Sequence, residues 1–135
     1  MKWVILMAML FSIPLIVGWV SENSAKTRWI CVAMGALPFL FGPLHLSASP
    51  ISWAGWPGYV RGTEISLLDI LALAVILAKN RARFTLPFKG PMIAYFVAVL
   101  IAVPLADLWM AASFYAWQLL RMYLLFAAVA LLAAD

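Results

Sequence analysis

Asp69 and Arg121 are charged residues that lie deep within apolar stretches of the sequence. A charged side chain in such a stretch is energetically costly unless it meets a partner or water, so it marks a functional or packing site. One interpretation is a buried pair that fixes the packing of two helices. The other is that Arg121 binds the phosphates of a lipid-linked substrate, because a planar guanidinium matches phosphate oxygens with two hydrogen bonds. The residue types favour the pair and leave the phosphate role open.

Few other residues could take part in catalysis. Glu64, Arg61 and His45 precede Asp69, but His45 is the only histidine, and a lone histidine beside an apolar run is more often an interfacial residue than a catalyst. One histidine does not define a Ser-His-Asp set, and there is no glycine-rich phosphate loop, HExxH motif or cysteine cluster. The single cysteine, Cys31, forms no intrachain disulfide. The sequence therefore predicts no catalytic residue, no metal site and no cofactor in this chain.

The composition excludes an ordinary soluble domain. Hydrophobic residues make up 67% of the 135 residues and charged residues only 10%, whereas soluble domains have about 45–50% and about 25%. The formal net charge of +4 does not indicate nucleic-acid binding, since the cations stand between apolar runs, where they orient a protein in a membrane. We therefore expect a membrane protein whose partners include membrane lipids and do not include nucleic acids.

Five apolar runs predict an all-α, multi-spanning membrane protein with about five transmembrane helices and no soluble domain. The first run is long for a signal peptide, so we interpret it as an uncleaved span. The second run is slightly short and is either a span or a re-entrant segment; its polar flanks favour crossing. The third begins at residue 64 or about one turn earlier. The predicted spans are residues 3–20, 29–44, 64–78, 92–106 and 109–133.

Lysine and arginine residues are distributed unequally between the predicted loops. With five spans, segments 21–28 and 79–90 lie on one side and hold six cations, whereas the other side holds only Lys2 and Arg61. The side with more cations is expected to be cytoplasmic. Segment 45–63 is then an outer loop, and it contains residue types that prefer the lipid headgroup layer: Trp53, Trp56 and Tyr59.

The predicted spans 64–78 and 109–133 should be neighbours, because each carries one of the two buried charges. Asp69 lies near the outer end of its span, and Arg121 lies deeper but has a long side chain that can extend outward. We therefore expect direct contact or a bridging water between them, with Ser66 on the same face as Asp69. The face of Arg121 also carries polar and aromatic residues at helical spacing: Ser113 or Phe114, Trp117 and Gln118.

Three segments of the sequence resemble a bacterial protein family. They are residues 35–43 (GALPFLFGP), 53–69 (WAGWPGYVRGTEISLLD) and 114–121 (FYAWQLLR). They are similar to segments of the O-antigen ligase and O-antigen polymerase family of multi-spanning inner-membrane proteins, and the similarity extends over residues 35–135. The resemblance implies a role in cell-surface polysaccharide or lipopolysaccharide biosynthesis. Family members transfer glycan from an undecaprenyl pyrophosphate carrier to an acceptor on the periplasmic side.

Members of this family are much longer, and their catalytic arginines and histidine lie in a large periplasmic loop that would follow residue 135. No position here matches that loop, so the resemblance implies the N-terminal membrane part of such an enzyme, inactive alone and joined to the rest of a longer polypeptide. Its implied partner is undecaprenyl-pyrophosphate-linked glycan, whose phosphates Arg121 would contact. The alternative is a small stand-alone integral membrane protein that acts as a packing partner or transporter accessory.

Overall fold

The computed structural model of the chain describes residues 2–21, 24–40, 47–55, 58, 60, 62–79 and 86–134. This part is mostly helical, as the sequence predicts. A small strand pair is an addition that the apolar runs did not predict. The elements, in chain order, are α1 (Lys2–Ser21), α2 (Ser24–Leu40), β1 (Ser47–Ala48), β2 (Ile65–Ser66), α3 (Leu67–Ala78), α4 (Lys89–Ala102), a 3-10 turn (Val103–Leu105) and α5 (Trp109–Ala133).

Two of the described helices are long and apolar enough to cross a membrane. They are 19 residues of α1, Trp3–Ser21, and the 25 residues of α5, Trp109–Ala133. Only 17% of the most apolar stretch of each helix is buried, whereas the core helix of a soluble protein is mostly buried. α3 and α4 are apolar but shorter. Length and composition therefore identify two candidate spans in the described part of the chain, against about five expected.

α3 is the central helix of the bundle. Its residues Ala72, Ala74 and Val75 are fully buried, and it packs mainly against α1 and α5. Small side chains such as these let neighbouring helix backbones approach closely. Ala72 and Val75 belong to one apolar cluster with residues of α1, α2 and α5: Val20, Ile30, Met34 and Ala128.

α1, α3 and α5 run in the same direction. Near their beginnings, Leu6 of α1 lines a small pocket with residues of the loop that starts at β1, and β1 is paired with the strand that leads into α3. Farther along, Val20 of α1, Val75 of α3 and Ala128 of α5 share the apolar cluster. We call the end of the bundle formed by the described residues between 47 and 66 the loop end.

α4 runs antiparallel to α5, and residues 103–108 form the short connection between the two helices. The rings of Phe96 and Tyr123 meet edge to face between the two helices, with 6.1 Å between ring centroids. The first residue of α4 therefore lies at the end of the bundle opposite the loop end. We call that opposite end the basic end, after its described cations: Lys26, Arg28, Lys79 and Lys89.

Backbone pairing holds the loop end together. β1 and β2 are antiparallel, with Ala48 opposite Ile65, and Thr63 N–H donates to the Ile51 carbonyl at 2.9 Å. The third helix is shorter than the predicted span, which begins at residue 64 or about a turn earlier. α3 begins at Leu67, because the two residues before it are extended and paired with β1.

The other helix bounds differ from the predicted spans mainly where polar residues continue a helix. α5 coincides with predicted span 109–133, and α1 is one residue longer at each end than predicted span 3–20. α2 begins at Ser24 rather than residue 29, since the first turn of a helix need not be apolar; its predicted end at residue 44 lies outside the described residues. α4 begins at Lys89 rather than residue 92 and gives way to the 3-10 turn around Pro104, whose missing N–H interrupts the helical bonding.

Candidate functional site

Asp69 occupies the third position of α3 and accepts hydrogen bonds at the start of that helix. Its Oδ2 accepts one from Ser66 N–H at 2.7 Å and one from Ser66 Oγ at 2.8 Å. Ser66 is extended, with φ −108° and ψ 162°, and backbone N–H groups at a helix start have no helical acceptor. A carboxylate in the first turn also meets the positive end of the helix dipole. Asp69 therefore stabilises the beginning of its own helix.

Arg121 of α5 binds the same carboxylate. Its Nε donates to Asp69 Oδ2 at 2.9 Å, and its Nη2 donates to Ser66 Oγ at 3.1 Å. The exposed fraction is 14% for the Arg121 side chain and 8% for the Asp69 side chain, so water has little access to the ion pair. The structure thus brings the two charged residues singled out in the sequence into direct contact and makes α3 and α5 neighbours.

Two further acceptors lie beside the guanidinium of Arg121. Its Nη1 donates to Gln118 Oε1 on the preceding turn of α5 at 3.1 Å. The same Nη1 lies 3.8 Å from Glu64 Oε2, and the Glu64 side chain is 54% exposed. An exposed ion pair at this distance contributes little to stability. The shorter contacts with Asp69, Ser66 and Gln118 therefore fix the orientation of the guanidinium.

Glu64 connects α5 to the strand pair at the loop end. Its Oε1 accepts a hydrogen bond from Ser47 Oγ at 3.0 Å, and its main-chain carbonyl accepts one from Trp117 Nε1 at 2.9 Å. Trp117 lies one turn before Arg121, so α5 binds both the backbone and the side chains of the segment that leads into α3. We call this set of interacting residues the charge cluster: Ser47, Glu64, Ser66, Asp69, Trp117, Gln118 and Arg121.

One buried polar atom of the charge cluster has no hydrogen-bond partner among the described residues. This atom is Asp69 Oδ1, whereas Oδ2 of the same carboxylate accepts three hydrogen bonds. Glu64, Asp69 and Arg121 together carry one more negative charge than positive. Loss of the guanidinium would leave a buried carboxylate without an ion-pair partner in the described part of the chain, which is a costly arrangement.

The geometry favours a packing role for Arg121 over a binding role. Its Nε, Nη1 and Nη2 each donate to an acceptor within the chain, and its side chain is mostly buried. Three of the five guanidinium N–H groups are thus used within the chain, which leaves one on Nη1 and one on Nη2 for any further acceptor. The charge cluster is therefore suited to holding α3, α5 and the loop end together, and contact with a carrier phosphate stays a prediction.

Sequence reasoning did not find two members of the charge cluster as bonding partners. Ser47 precedes Glu64 by 17 residues, and only the pairing of β1 with β2 brings them together. Trp117 was placed on the correct helix face, but its hydrogen bond to the Glu64 carbonyl depends on the extended backbone before α3. The available signal was the i, i+4 spacing of Trp117 and Arg121, which puts both side chains on one face.

Other residues considered from the sequence are not members of the charge cluster as described. Cys31 is exposed on α2. His45 and Arg61 lie outside the described residues, as do Arg81 and Arg83 of the predicted cytoplasmic loop. Within the described residues, no group of three or more His, Cys, Asp or Glu side chains could hold a metal ion.

Comparison of the chain with models of protein families, with curated proteins and with solved structures found no match.

Proposed function

We propose that the chain is a multi-pass protein of the bacterial inner membrane with about five helical spans. The low burial of α1 and α5 supports this proposal, because their apolar side chains face outward and need an apolar surrounding. α4 supports it further, since none of its residues is buried although most are apolar. Exposed apolar residues are distributed over these helices, including Trp3, Phe11, Leu15, Ile101 and Val129.

α3 is the shortest of the proposed spans. Its 12 residues measure about 18 Å at about 1.5 Å per residue, whereas the hydrocarbon core of a bilayer is about 30 Å thick. Irregular backbone is tolerated at membrane depth where protein surrounds it and satisfies its polar groups. The hydrogen bond from Trp117 to the Glu64 carbonyl satisfies such a group. In the proposed arrangement, α3 extends from the basic end and the strand pair completes the crossing.

We expect the basic end to face the cytoplasm and the loop end to face the periplasm. Two single cysteines, each in a Cys31→Ser background, report on the two sides of the membrane. Ser52→Cys tests the periplasmic side, and Arg83→Cys tests the cytoplasmic side. An impermeant thiol reagent added to intact spheroplasts should label residue 52, whereas residue 83 should react only after permeabilisation. Labelling of residue 83 but not residue 52 would reverse the orientation.

We infer that the biological role of the chain is that of the N-terminal membrane part of an O-antigen ligase-like or polymerase-like protein, which handles undecaprenyl-pyrophosphate-linked glycan. One observation carries this proposal. Two of the segments that resemble the family, residues 53–69 and 114–121, contact each other through Asp69, Arg121 and Trp117. Two segments that resemble the family and also contact each other in the fold support the resemblance more strongly than apolar segments that resemble it separately. The Asp69–Arg121 pair would then set the position of α5 relative to the periplasmic loop end.

A stand-alone role as a packing partner or transporter accessory is the second candidate function. The observation that favours it is the commitment of Arg121 to acceptors inside the chain. An internal pair of this kind needs no substrate to explain it. Under this alternative, the charge cluster has only a structural role and loss of the protein leaves surface polysaccharide unchanged.

Inactivation of the gene in the bacterium that encodes the chain separates these two functions. Under the first, surface polysaccharide should be lost or shortened on gels, and an intact copy of the gene should restore it. A copy with Arg121→Gln should restore less, and a copy with Lys89→Gln, an exposed cation on α4, should restore it fully. Unchanged polysaccharide in the inactivated strain would reject the glycan-handling role.

The 135-residue chain alone is expected not to transfer glycan. Its described residues provide no catalytic set, and the family's chemistry lies in a loop that has no counterpart in this sequence. The measurement is glycan transfer from a lipid carrier to an acceptor by the purified chain in nanodiscs. Product formation above that of empty nanodiscs would show that the chemistry resides in these residues.

A further inference from the structure

Trp3 and Trp109, at the beginnings of α1 and α5, lie at a common level of the loop end. Their side chains are exposed, at 65% and 62%. From Val20 in the apolar cluster back to Trp3, α1 measures about 26 Å at about 1.5 Å per residue. From Ala128 in the same cluster back to Trp109, α5 measures about 29 Å on that rise. Because indoles prefer the headgroup layer, this shared level marks one boundary of the hydrocarbon core in the proposed membrane placement.

Glu64 lies well below this boundary. Its main-chain carbonyl accepts the hydrogen bond from Trp117 Nε1, and Trp117 lies about 12 Å farther along α5 than Trp109, at about 1.5 Å per residue. Its Oε2 is 3.8 Å from Nη1 of Arg121, which is one turn farther along the same helix. Two contacts with this part of α5 therefore hold the backbone and the carboxylate of Glu64 roughly 10 Å inside a hydrocarbon core about 30 Å thick.

The carboxylate of Glu64 borders open space at this depth. Its side chain is 54% exposed, whereas the side chain of Asp69 is 8% exposed in its ion pair with Arg121. Ser47 Oγ donates to Glu64 Oε1, but a hydroxyl does not neutralise a carboxylate. Ionised side chains inside a membrane face the interior of a bundle or a water-filled cavity. Lipid in the open space would leave the carboxylate unsolvated, whereas water would solvate it.

The backbone around Glu64 also requires water. Residues 62–66 are not helical, and non-helical backbone at membrane depth is tolerated only where protein buries it or where it lines a water-filled cavity. Within this segment, Gly62 is buried but Glu64 is exposed. Protein therefore covers only part of the segment, and the exposed part needs an aqueous surrounding.

A series of polar groups connects Glu64 with the level of Trp3. At that level, Trp3 lines a small pocket together with Ser49. Ser49 Oγ and Thr63 Oγ1 both donate to the Ile51 carbonyl, at 3.1 and 3.4 Å, and both hydrogen bonds are exposed. Thr63 directly precedes Glu64 in the chain. Hydrophilic surface therefore continues from the pocket beside α1 to the carboxylate of Glu64.

From these observations we propose that water enters the bundle at the loop end and fills a recess that reaches the Glu64 carboxylate inside the bilayer. The recess is lined by three hydroxyl groups and this carboxylate: Ser47, Ser49, Thr63 and Glu64. The buried ion pair of Asp69 and Arg121 closes its inner end. The inference rests on the proposed membrane placement, because Glu64 needs no recess if water surrounds the whole chain. It does not depend on the glycan-handling role.

The test measures the reactivity of single cysteines in the full chain, each in a Cys31→Ser background. The chain is placed in phosphatidylcholine nanodiscs, which leave both faces of the bilayer accessible, so the result does not depend on orientation. The probe is the membrane-impermeant reagent 2-(trimethylammonium)ethyl methanethiosulfonate, which reacts with the thiolate. Glu64→Cys should react within about 10-fold of the rate of Ser52→Cys at the surface of the loop end, since water stabilises the thiolate at both positions.

Tyr115→Cys and Met122→Cys are the matched controls. These residues share one face of α5, and they lie on either side of Trp117 in depth. Their exposed fractions, 48% and 58%, are close to that of Glu64, but their surrounding is expected to be lipid. Each control should react at least about 10-fold more slowly than Glu64→Cys, because an apolar surrounding disfavours the thiolate.

Each outcome of this test decides the proposal. If Glu64→Cys is as slow as the controls while Ser52→Cys reacts, lipid or protein fills the space beside residue 64 and the recess is rejected. If the controls react as fast as Glu64→Cys, water surrounds α5 and membrane placement itself is rejected. Should Glu64→Cys fail to fold, Ser47→Cys takes its place, because it keeps the carboxylate and lies beside it.

Discussion

Replacement of Arg121 by glutamine is expected to lower the free energy of unfolding by about 3–5 kcal/mol, because it breaks a buried ion pair from one side. The Asp69 side chain, which is 8% exposed beside Arg121, keeps only the two Ser66 donors in this variant, and its Oδ1 still has no partner among the described residues. The variant also removes the donor to Gln118. The measurement is reversible unfolding in detergent micelles or bicelles, for example by steric trapping.

Asp69→Asn should cost less, about 1–3 kcal/mol, as expected for loss of a charged hydrogen-bond acceptor. Asparagine keeps an oxygen that Ser66 can bind, and Arg121 keeps Gln118 and remains close to Glu64. The double variant carries neither buried charge. The loss in free energy of unfolding should therefore be smaller for the double variant than the sum of the losses for the two single variants. The expected difference is about 0.5–3 kcal/mol, the coupling energy typical of residues in contact.

The control for this cycle is Lys89→Gln, which removes an exposed cation at the beginning of α4 and should change stability by no more than about 0.5 kcal/mol. Costs that simply add in the double variant would contradict the packing role of the pair. Arg121 would then be the better candidate for contact with a carrier phosphate. In the longer enzyme proposed as one function of the chain, an Arg121→Gln variant that keeps its fold but binds the carrier less tightly would support that second role.

Replacement of Gly62 by alanine should disrupt the loop end. A Cβ at this position would collide with the Ile51 carbonyl oxygen and with Ser49 Oγ. The Ile51 carbonyl also accepts the hydrogen bond from Thr63 N–H. It therefore cannot move away from the new Cβ without breaking backbone pairing at the loop end. Forcing extra volume into such a site costs about 1–3 kcal/mol. Hydrogen exchange should become faster in residues 47–66 while the centres of α1 and α5 stay protected.

Gly18→Ala and Gly90→Ala are the matched controls for this substitution. A Cβ at Gly18 or Gly90 meets no atom within 4 Å, and both residues lie in helices, where alanine is favoured over glycine by about 1 kcal/mol. These variants should be neutral or slightly stabilised. If Gly62→Ala behaved like them, the close approach between residues 51 and 62 would not exist in the protein.

The helices were the more predictable part of this fold. Apolar run length located α1 and α5 nearly residue for residue, because each is bounded by polar residues or a tight turn. The contact between Asp69 and Arg121 also followed from the sequence, since two opposite charges in apolar runs at compatible depths have few other ways to be neutralised. Helical spacing then placed Trp117 and Gln118 on the face that meets α3.

The loop end could not be predicted in the same way. Hydropathy made Glu64 the first residue of the third span, but pairing with β1, which lies 17 to 19 residues earlier in the chain, keeps residues 65 and 66 extended. Pairing of two-residue strands depends on which backbone groups meet in three dimensions, and no local pattern encodes it. The start of α2 was not predicted for a different reason. Its first turn is polar, and hydropathy alone does not distinguish a polar helical turn from a loop.

The separation of Asp69 from its partner has a consequence for biosynthesis. The two residues are 52 positions apart in the chain, and ribosomes add about 5–20 residues per second, so α3 is made roughly 3–10 s before Arg121. During that interval a 12-residue helix carries an unpaired carboxylate in its first turn, and a charge within a span makes insertion less favourable. In the five-span arrangement proposed above, stable insertion of α3 would therefore depend on the later synthesis of α5.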